Sequence, residues 1–237
     1  MPEPQNDIAH LTARPHPPNE PAPDGTGLRV LGLGGPRDGL LLVPPGYRAD
    51  APAPLFVLLH GAGGDARRIL SMFQNQAETA GMIVLVPDSR GPTWDVILGG
   101  YGPDADFLDE ALDRVFARYA IDPDRIAIGG FSDGASYGLS FGITNGDLFT
   151  HILAFSPGFL APAAQRQSPL MFVSHGVHDQ VLPIDGCSRV LVPLLRRAGY
   201  EVVYREFDGP HTVPPAIVDE AFRWFLDGPG REDAVRT

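Results

Sequence analysis

Lysine is absent from the 237 residues, so all 18 basic side chains are arginine. A Schiff-base lysine, a Ser–Lys dyad and a P-loop lysine are thereby excluded. Cysteine occurs once, at Cys187, which rules out an internal disulfide and CxxC metal sites. Positive charge is scarce: 18 arginines face 29 acidic residues, a formal net charge of −11 with histidine neutral. No positive field is present to draw in nucleic acid or an anionic membrane surface. Long apolar runs are also missing. Stretches such as Pro54–Leu59 fall far short of the roughly 20 residues a spanning helix needs. The opening MPEPQNDIAH has neither a positive nor an apolar region, so no signal peptide is expected and the cytoplasm is the expected compartment. No metal and no cofactor are expected.

What is present suits one large core. The chain is 43% hydrophobic and 20% charged, as a single α/β domain of this length requires. Residues 1–26 carry seven prolines and read as an extended extension that wraps the surface or moves freely. Residues 27–227 read as the domain, and 228–237 as a loose tail. Gly27–Leu33 and Gly39–Val43 read as an antiparallel hairpin across GGPRD. Strands are then expected at Leu55–Leu59, Ile83–Val86, Ile126–Phe131, Ile152–Phe155, Leu170–Ser174 and Glu201–Phe207. Helices are expected at Asp65–Ala80, Asp104–Tyr119, Asp133–Asn145, Asp185–Ala198 and Val213–Leu226. Apolar strands alternating with helices predict a mostly parallel twisted sheet with helices on both faces. Reactive groups in such sheets gather at the carboxyl ends of the strands.

Three of those ends carry chemistry. Ser132 follows Ile126–Phe131 within Gly130-Phe131-Ser132-Asp133-Gly134, a G-x-S-x-G turn that lifts a serine hydroxyl above the sheet edge. A random chain of this composition shows the pattern about once in eight, so context must decide. The pattern recurs at Ser136 and Ser140, but both lie inside the following helix. There Gly134, Gly138 and Gly142 form a small-residue stripe that lets the helix approach the sheet. Asp179 follows Leu170–Ser174, with Asp185 left to cap the next helix. His211 follows the last strand in a Gly-Pro turn. Ser132, Asp179 and His211 run in the order of an α/β-hydrolase triad, which leaves His178 and the fallback acid Asp208 as bystanders. The turn His60-Gly61-Ala62-Gly63-Gly64 aims backbone amides at a developing oxyanion, and the Ala62 and Asp133 amides are assigned to that hole. A rival reading takes Gly61–Ala66 as a G-x-G-x-x-A dinucleotide loop with Asp88 as its acid, but this loop follows two earlier strands.

With these residues placed, the chain resembles the α/β-hydrolase superfamily, and within it the phospholipase/carboxylesterase family of small serine esterases. LFVLLHGAGGD, IAIGGFSDGAS, FVSHGVHDQVLP and DGPHTVPP carry the resemblance from about residue 27 to 226. It implies a curved sheet, a Ser–His–Asp triad and hydrolysis of carboxylic or thioesters through an acyl-enzyme. Such esterases often hold Gln where Asp133 stands. Dienelactone hydrolases look similar but use cysteine at the elbow.

The short SPGFLAPAAQRQSP connection leaves no room for a large helical lid, which favours small or soluble esters. Trp94, exposed by its place in the Asp88–Pro103 loop, is a candidate substrate contact, against the alternative that it anchors its own loop. Val181 and Leu182, just after the acid, are candidates for the pocket mouth. Cys187 reads as a small buried hydrophobe. Thioesterase, peptidase or acyltransferase chemistry would use the same triad, and a non-catalytic binding protein on this fold is the alternative outside enzymes. The expected partner is a small-molecule ester, with no nucleic acid and no membrane. A homodimer stays open.

Overall fold

The apolar runs pair into one eight-stranded sheet. A computed structural model describes residues 9–22 and 25–228. Its strands are β1 (Gly27–Val30), β2 (Gly39–Val43), β3 (Ala53–Leu59), β4 (Ile83–Pro87), β5 (Ile121–Phe131), β6 (His151–Phe155), β7 (Leu170–Gly176) and β8 (Val202–Phe207). Their order across the sheet is β1-β2-β4-β3-β5-β6-β7-β8. β2 pairs antiparallel with both β1 and β4, and every pairing from β4 to β8 is parallel.

Side-chain alternation divides the core between the two faces. Leu55, Val57 and Leu59 of β3 face α4 (Pro103–Arg118) and α5 (Asp133–Thr144), packing with Leu108, Leu112, Phe116, Tyr137 and Phe141. Phe56 and Leu58 face α1 (Ala66–Leu70), α2 (Gln74–Thr79) and α7 (Pro215–Asp227), packing with Ile69, Phe73, Phe222 and Phe225. α6 (Ser188–Arg197) adds Val192 and Leu195 to the first face. Among the described residues no helix is long and apolar enough to cross a membrane.

Four expectations need correction. The helix expected over Asp65–Ala80 is two helices, because the turn at Met72 and Phe73 tightens to i→i−3 bonds. That turn drives the Phe73 ring between Phe56, Phe155 and Phe222. β5 begins five residues early, at Ile121, which pairs with Ala53 across a register shift. The helix expected from Asp185 starts instead at Ser188, after a 3-10 turn at Ile184–Gly186. Asp185 caps neither; its carboxylate pairs with Arg189 at 2.8 Å. A short helix missing from the sequence reading, α3 (Asp95–Leu98), lies in the loop after β4.

The glycine stripe on α5 has the expected steric cause. A Cβ on Gly134 would lie 2.3 Å from the Leu59 carbonyl oxygen, and one on Gly138 would lie 2.9 Å from the Gly129 Cα. The proline-rich stretch runs over α4 and the end of α5. The Leu11 N–H donates to Asn145 Oδ1, the Asn145 amide donates to the Ala9 carbonyl, and the Thr12 and Ala13 N–H groups both donate to Asp109 Oδ1, each at 2.8 Å. Ala9, Leu11 and Ala13 are buried in the first core face. From residue 229 the expected tail lies outside the described residues.

Candidate active site

β5, β7 and β8 are parallel, so the segments that leave them emerge along one edge. Ser132 follows β5 directly and holds φ 59° and ψ −120°, a left-handed conformation that L side chains rarely adopt. The flanking glycines are required by contact. A Cβ on Gly130 would lie 2.1 Å from the Leu59 carbonyl oxygen. Gly176 at the end of β7 does the same for the neighbouring loop: a Cβ there would lie 2.4 Å from the Gly209 carbonyl oxygen. That close approach carries His211 toward the sheet edge.

The structure brings Ser132, His211 and Asp179 together. His211 Nε2 lies 2.9 Å from Ser132 Oγ, and His211 Nδ1 lies 2.5 Å from Asp179 Oδ2. The imidazole stacks on Phe131 with ring centroids 4.5 Å apart. The Asp179 side chain is fully buried, and its Oδ1 accepts the N–H groups of Val181 and Leu182 at 2.9 and 2.8 Å. Burial alone would push this carboxyl up. The donated Leu182 N–H and His211 outweigh it and hold Asp179 below the usual carboxylate range. Asp179 is thus an anion placed to fix the proton of His211 on Nδ1, leaving Nε2 free to accept from the serine hydroxyl.

The two bystanders pair with each other. His178 Nε2 lies 2.9 Å from Asp208 Oδ1, and both side chains are largely exposed. Ser136 and Ser140 have a structural role. With Thr144 they form a ladder on one face of α5, each hydroxyl donating to the carbonyl one turn earlier, at 3.2, 2.7 and 2.9 Å in order. The same three oxygens accept the N–H groups of Gly158, Ala161 and Ala163. They hold the β6–β7 connection, which contains no helix.

The glycine turn after β3 lies against the elbow: a Cβ on Gly61 would be 3.3 Å from Ser132 Cβ. The turn is pinned by Gly63 N–H to the Pro92 carbonyl at 2.7 Å. His60 pins it from beneath. Its Nδ1–H donates to the Gly61 carbonyl at 2.8 Å, and its Nε2 accepts the Ser89 N–H at 3.0 Å. Burial lowers the pKa of this ring and keeps it neutral, as that hydrogen-bond pattern demands. Among the described residues, neither the Ala62 nor the Asp133 amide has a backbone acceptor. The dinucleotide reading loses its anion site. The α1 N-terminus is filled by Asp65, which accepts the Arg68 N–H, and by Asp88, which accepts the Ala66 N–H at 2.6 Å.

Trp94 corrects an expectation. It is buried, its Nε1–H donates to the His60 carbonyl at 2.8 Å, and its ring packs between His60 and Tyr137. Position in a loop does not expose it, because this loop folds back under the glycine turn. Val181 is exposed, and Leu182 packs on Gly158. Sequence reasoning missed the clamp from Thr93 Oγ1 to Asp133 Oδ2 at 2.7 Å. It also missed His60 and His175, although His-Gly ends an apolar strand at both places.

A mostly parallel sheet flanked by helices, with a strained serine turn after β5, is the architecture of the α/β-hydrolase fold. In sequence the chain is similar to esterases. The sequence profile of the phospholipase/carboxylesterase family matches residues 105–219. A probable feruloyl esterase C of Aspergillus oryzae is 26% identical over 158 residues, which cover 63% of this chain and 57% of that protein. Acyl-protein thioesterase 1 of Gibberella zeae is 32% identical over 109 residues, covering 41% and 46% of the two chains. Among solved structures, an S-formylglutathione hydrolase of Staphylococcus aureus shares the fold with a TM-score of 0.68 at 18% identity, covering 87% of this chain and all of that one. The match spans little more than half the length of the feruloyl esterase relatives.

Proposed function

We propose that this protein is a serine hydrolase that cleaves carboxylic esters of small or soluble substrates. The observation that carries this reading is the continuous relay from Ser132 Oγ through His211 to a buried Asp179, at 2.9 and 2.5 Å. His211 Nε2 takes the hydroxyl proton as Ser132 Oγ adds to the ester carbonyl carbon. The amides of Ala62 and Asp133 receive the oxyanion. The tetrahedral adduct collapses, and His211 gives the proton to the leaving alcohol. Water then attacks the acyl-enzyme, giving up its proton to His211, and the acid is released with Ser132 restored. Asp179 stabilises the imidazolium in both halves.

The helix-free β6–β7 connection supports small or soluble esters, since it holds no helical lid. The free, buried thiol of Cys187 supports a cytoplasmic setting. The test is stoichiometric labelling of Ser132 by a fluorophosphonate, together with p-nitrophenyl acetate turnover. Wild type is expected to show both, and Ser132→Ala neither. Turnover by Ser132→Ala at the wild-type rate refutes the assignment. Absence of labelling at any serine favours a binding protein on this fold. Comparing an acetyl oxygen ester with the matching thioester separates esterase from thioesterase.

A further inference from the structure

We propose that His175 is a positioning residue for the acid of the triad, a second imidazole that packs beside the Asp179 oxygen contacted by His211 and holds the segment following Asp179. The inference rests on the esterase reading and adds a residue to it.

The His175 ring is fully buried at the end of β7. Its Nε2 lies 2.8 Å from the Leu182 carbonyl oxygen and 3.2 Å from Asp179 Oδ2. Both neighbours are acceptors, so Nε2 carries the hydrogen. Its Nδ1 lies 2.7 Å from Ser188 Oγ, whose hydroxyl donates to it. The ring is therefore a neutral tautomer locked at both nitrogens. It links three places in the chain: the acid, the backbone three residues beyond it, and the first residue of α6.

The consequence falls on Asp179. Its Oδ1 takes two main-chain N–H groups, its Oδ2 takes the ring N–H of His211, and the His175 Nε2–H, which donates to the Leu182 carbonyl, lies 3.2 Å from the same Oδ2. Three hydrogen bonds and the close His175 ring hold one buried carboxylate in place, and His175 also fixes, through the Leu182 carbonyl, the segment that donates two of those bonds. The His175 N–H beside Oδ2 also draws negative charge away from the bond to His211. Without it, Asp179 binds the imidazolium more strongly but in a less fixed geometry. The titratable groups that bear on His175 are Asp179, His211 and Glu206 of β8, and the Cys187 thiol feels Asp179 from the start of α6.

The experiment follows the pH dependence of kcat/KM for p-nitrophenyl acetate, and of the fluorophosphonate labelling rate, in wild type, His175→Leu, His175→Asn and His175→Gln. Leucine removes both hydrogen bonds. Asparagine reaches Ser188 but not Asp179, and it serves if the leucine variant does not fold. Glutamine places an amide N–H where Nε2 stood. The leucine and asparagine variants are expected to move the acid limb up by about half to one pH unit, as loss of the polar ring N–H beside the carboxylate implies. Their plateau rate is expected to fall about tenfold, the equivalent of one such misplaced contact. Glutamine restores most of both. Folded leucine or asparagine variants that keep the wild-type limb and plateau, even with a lower Tm, overturn the proposal, and so does a glutamine variant that behaves like asparagine. If wild type itself neither turns over nor labels, the esterase reading falls and takes this role with it, a result plainly different from variants that merely track an active wild type.

Discussion

Replacing Asp179 by asparagine tests the relay without removing any atom of the serine or the imidazole. The Val181 and Leu182 N–H groups, at 2.9 and 2.8 Å from Oδ1, require an oxygen in that place, so the new amide nitrogen must take the position of Oδ2. That position is 2.5 Å from His211 Nδ1. A donor cannot face a donor, so His211 moves its proton to Nε2 and presents a lone pair at Nδ1. Nε2–H then points at Ser132 Oγ across 2.9 Å and cannot accept its proton. A triad in the wrong tautomer loses about 10⁴-fold in rate, or about 5 kcal/mol of transition-state stabilisation. The fold should survive, since the two main-chain bonds are kept and the His175 Nε2–H retains the Leu182 carbonyl as its acceptor. Initial rates with p-nitrophenyl acetate near neutral pH, with thermal melts on the same samples, measure both quantities. Asp208→Asn is the matched control: Asp208 is largely exposed and bound to His178, so its rate should stay within about twofold of wild type, as for a surface ion pair. A folded Asp179→Asn that keeps more than a tenth of wild-type kcat/KM refutes the reasoning, and a larger loss in Asp208→Asn transfers the role.

Three further outcomes are expected. Gly138→Ala places a methyl 2.9 Å from Gly129 Cα and should cost about 1–3 kcal/mol of overpacking, seen as a Tm several degrees lower; an unchanged Tm would show that α5 can back away from the sheet freely. Asp95 is held up at about 6, chiefly by burial. Its folded value exceeds its unfolded one, so the group favours the fold at low pH and loses that contribution as pH rises through 6. Asp95→Asn should therefore raise the Tm near pH 8 and converge with wild type near pH 4, and parallel melting curves across that range would sink the argument. Asn145→Ala deprives the buried Leu11 N–H of its acceptor, and limited proteolysis should cut among residues 9–20 far sooner than in wild type, with a loss of about 1–3 kcal/mol in stability.

The meeting of Ser132, Asp179 and His211 was legible because each follows an apolar strand of a parallel sheet, and such strands deliver their ends to one edge. Element existence was legible for the same reason: runs such as Leu55–Leu59 and the stripe along α4 are strongly periodic. What escaped notice depends on contacts between segments distant in sequence. Trp94 is buried only because its loop returns under the glycine turn to reach the His60 carbonyl. The break after α1 is set by the cavity that receives Phe73, not by a proline or glycine at the break. Asp185 looked like a cap by spacing, yet Arg189 one turn later draws its carboxylate away. His175 drew no attention beside the candidate acid, since one strand residue shows no partner until Ser188 and Leu182 are folded against it.

The attachment of residues 9–13 to Asn145 and Asp109 has a bearing on how the molecule is made. These residues leave the ribosome well before either of their anchors: Asp109 follows Ala13 by 96 residues and Asn145 follows Leu11 by 134, and until then they have nothing to dock on. Joining ends so far apart brings a large closure entropy, which places their docking among the last events of assembly, after α4 and α5 have settled on the sheet. Until then Ala9 and Leu11 remain open to water, and the floor they finally cover, beside α4 and the end of α5, is the surface on which a half-made chain could stick to its neighbours.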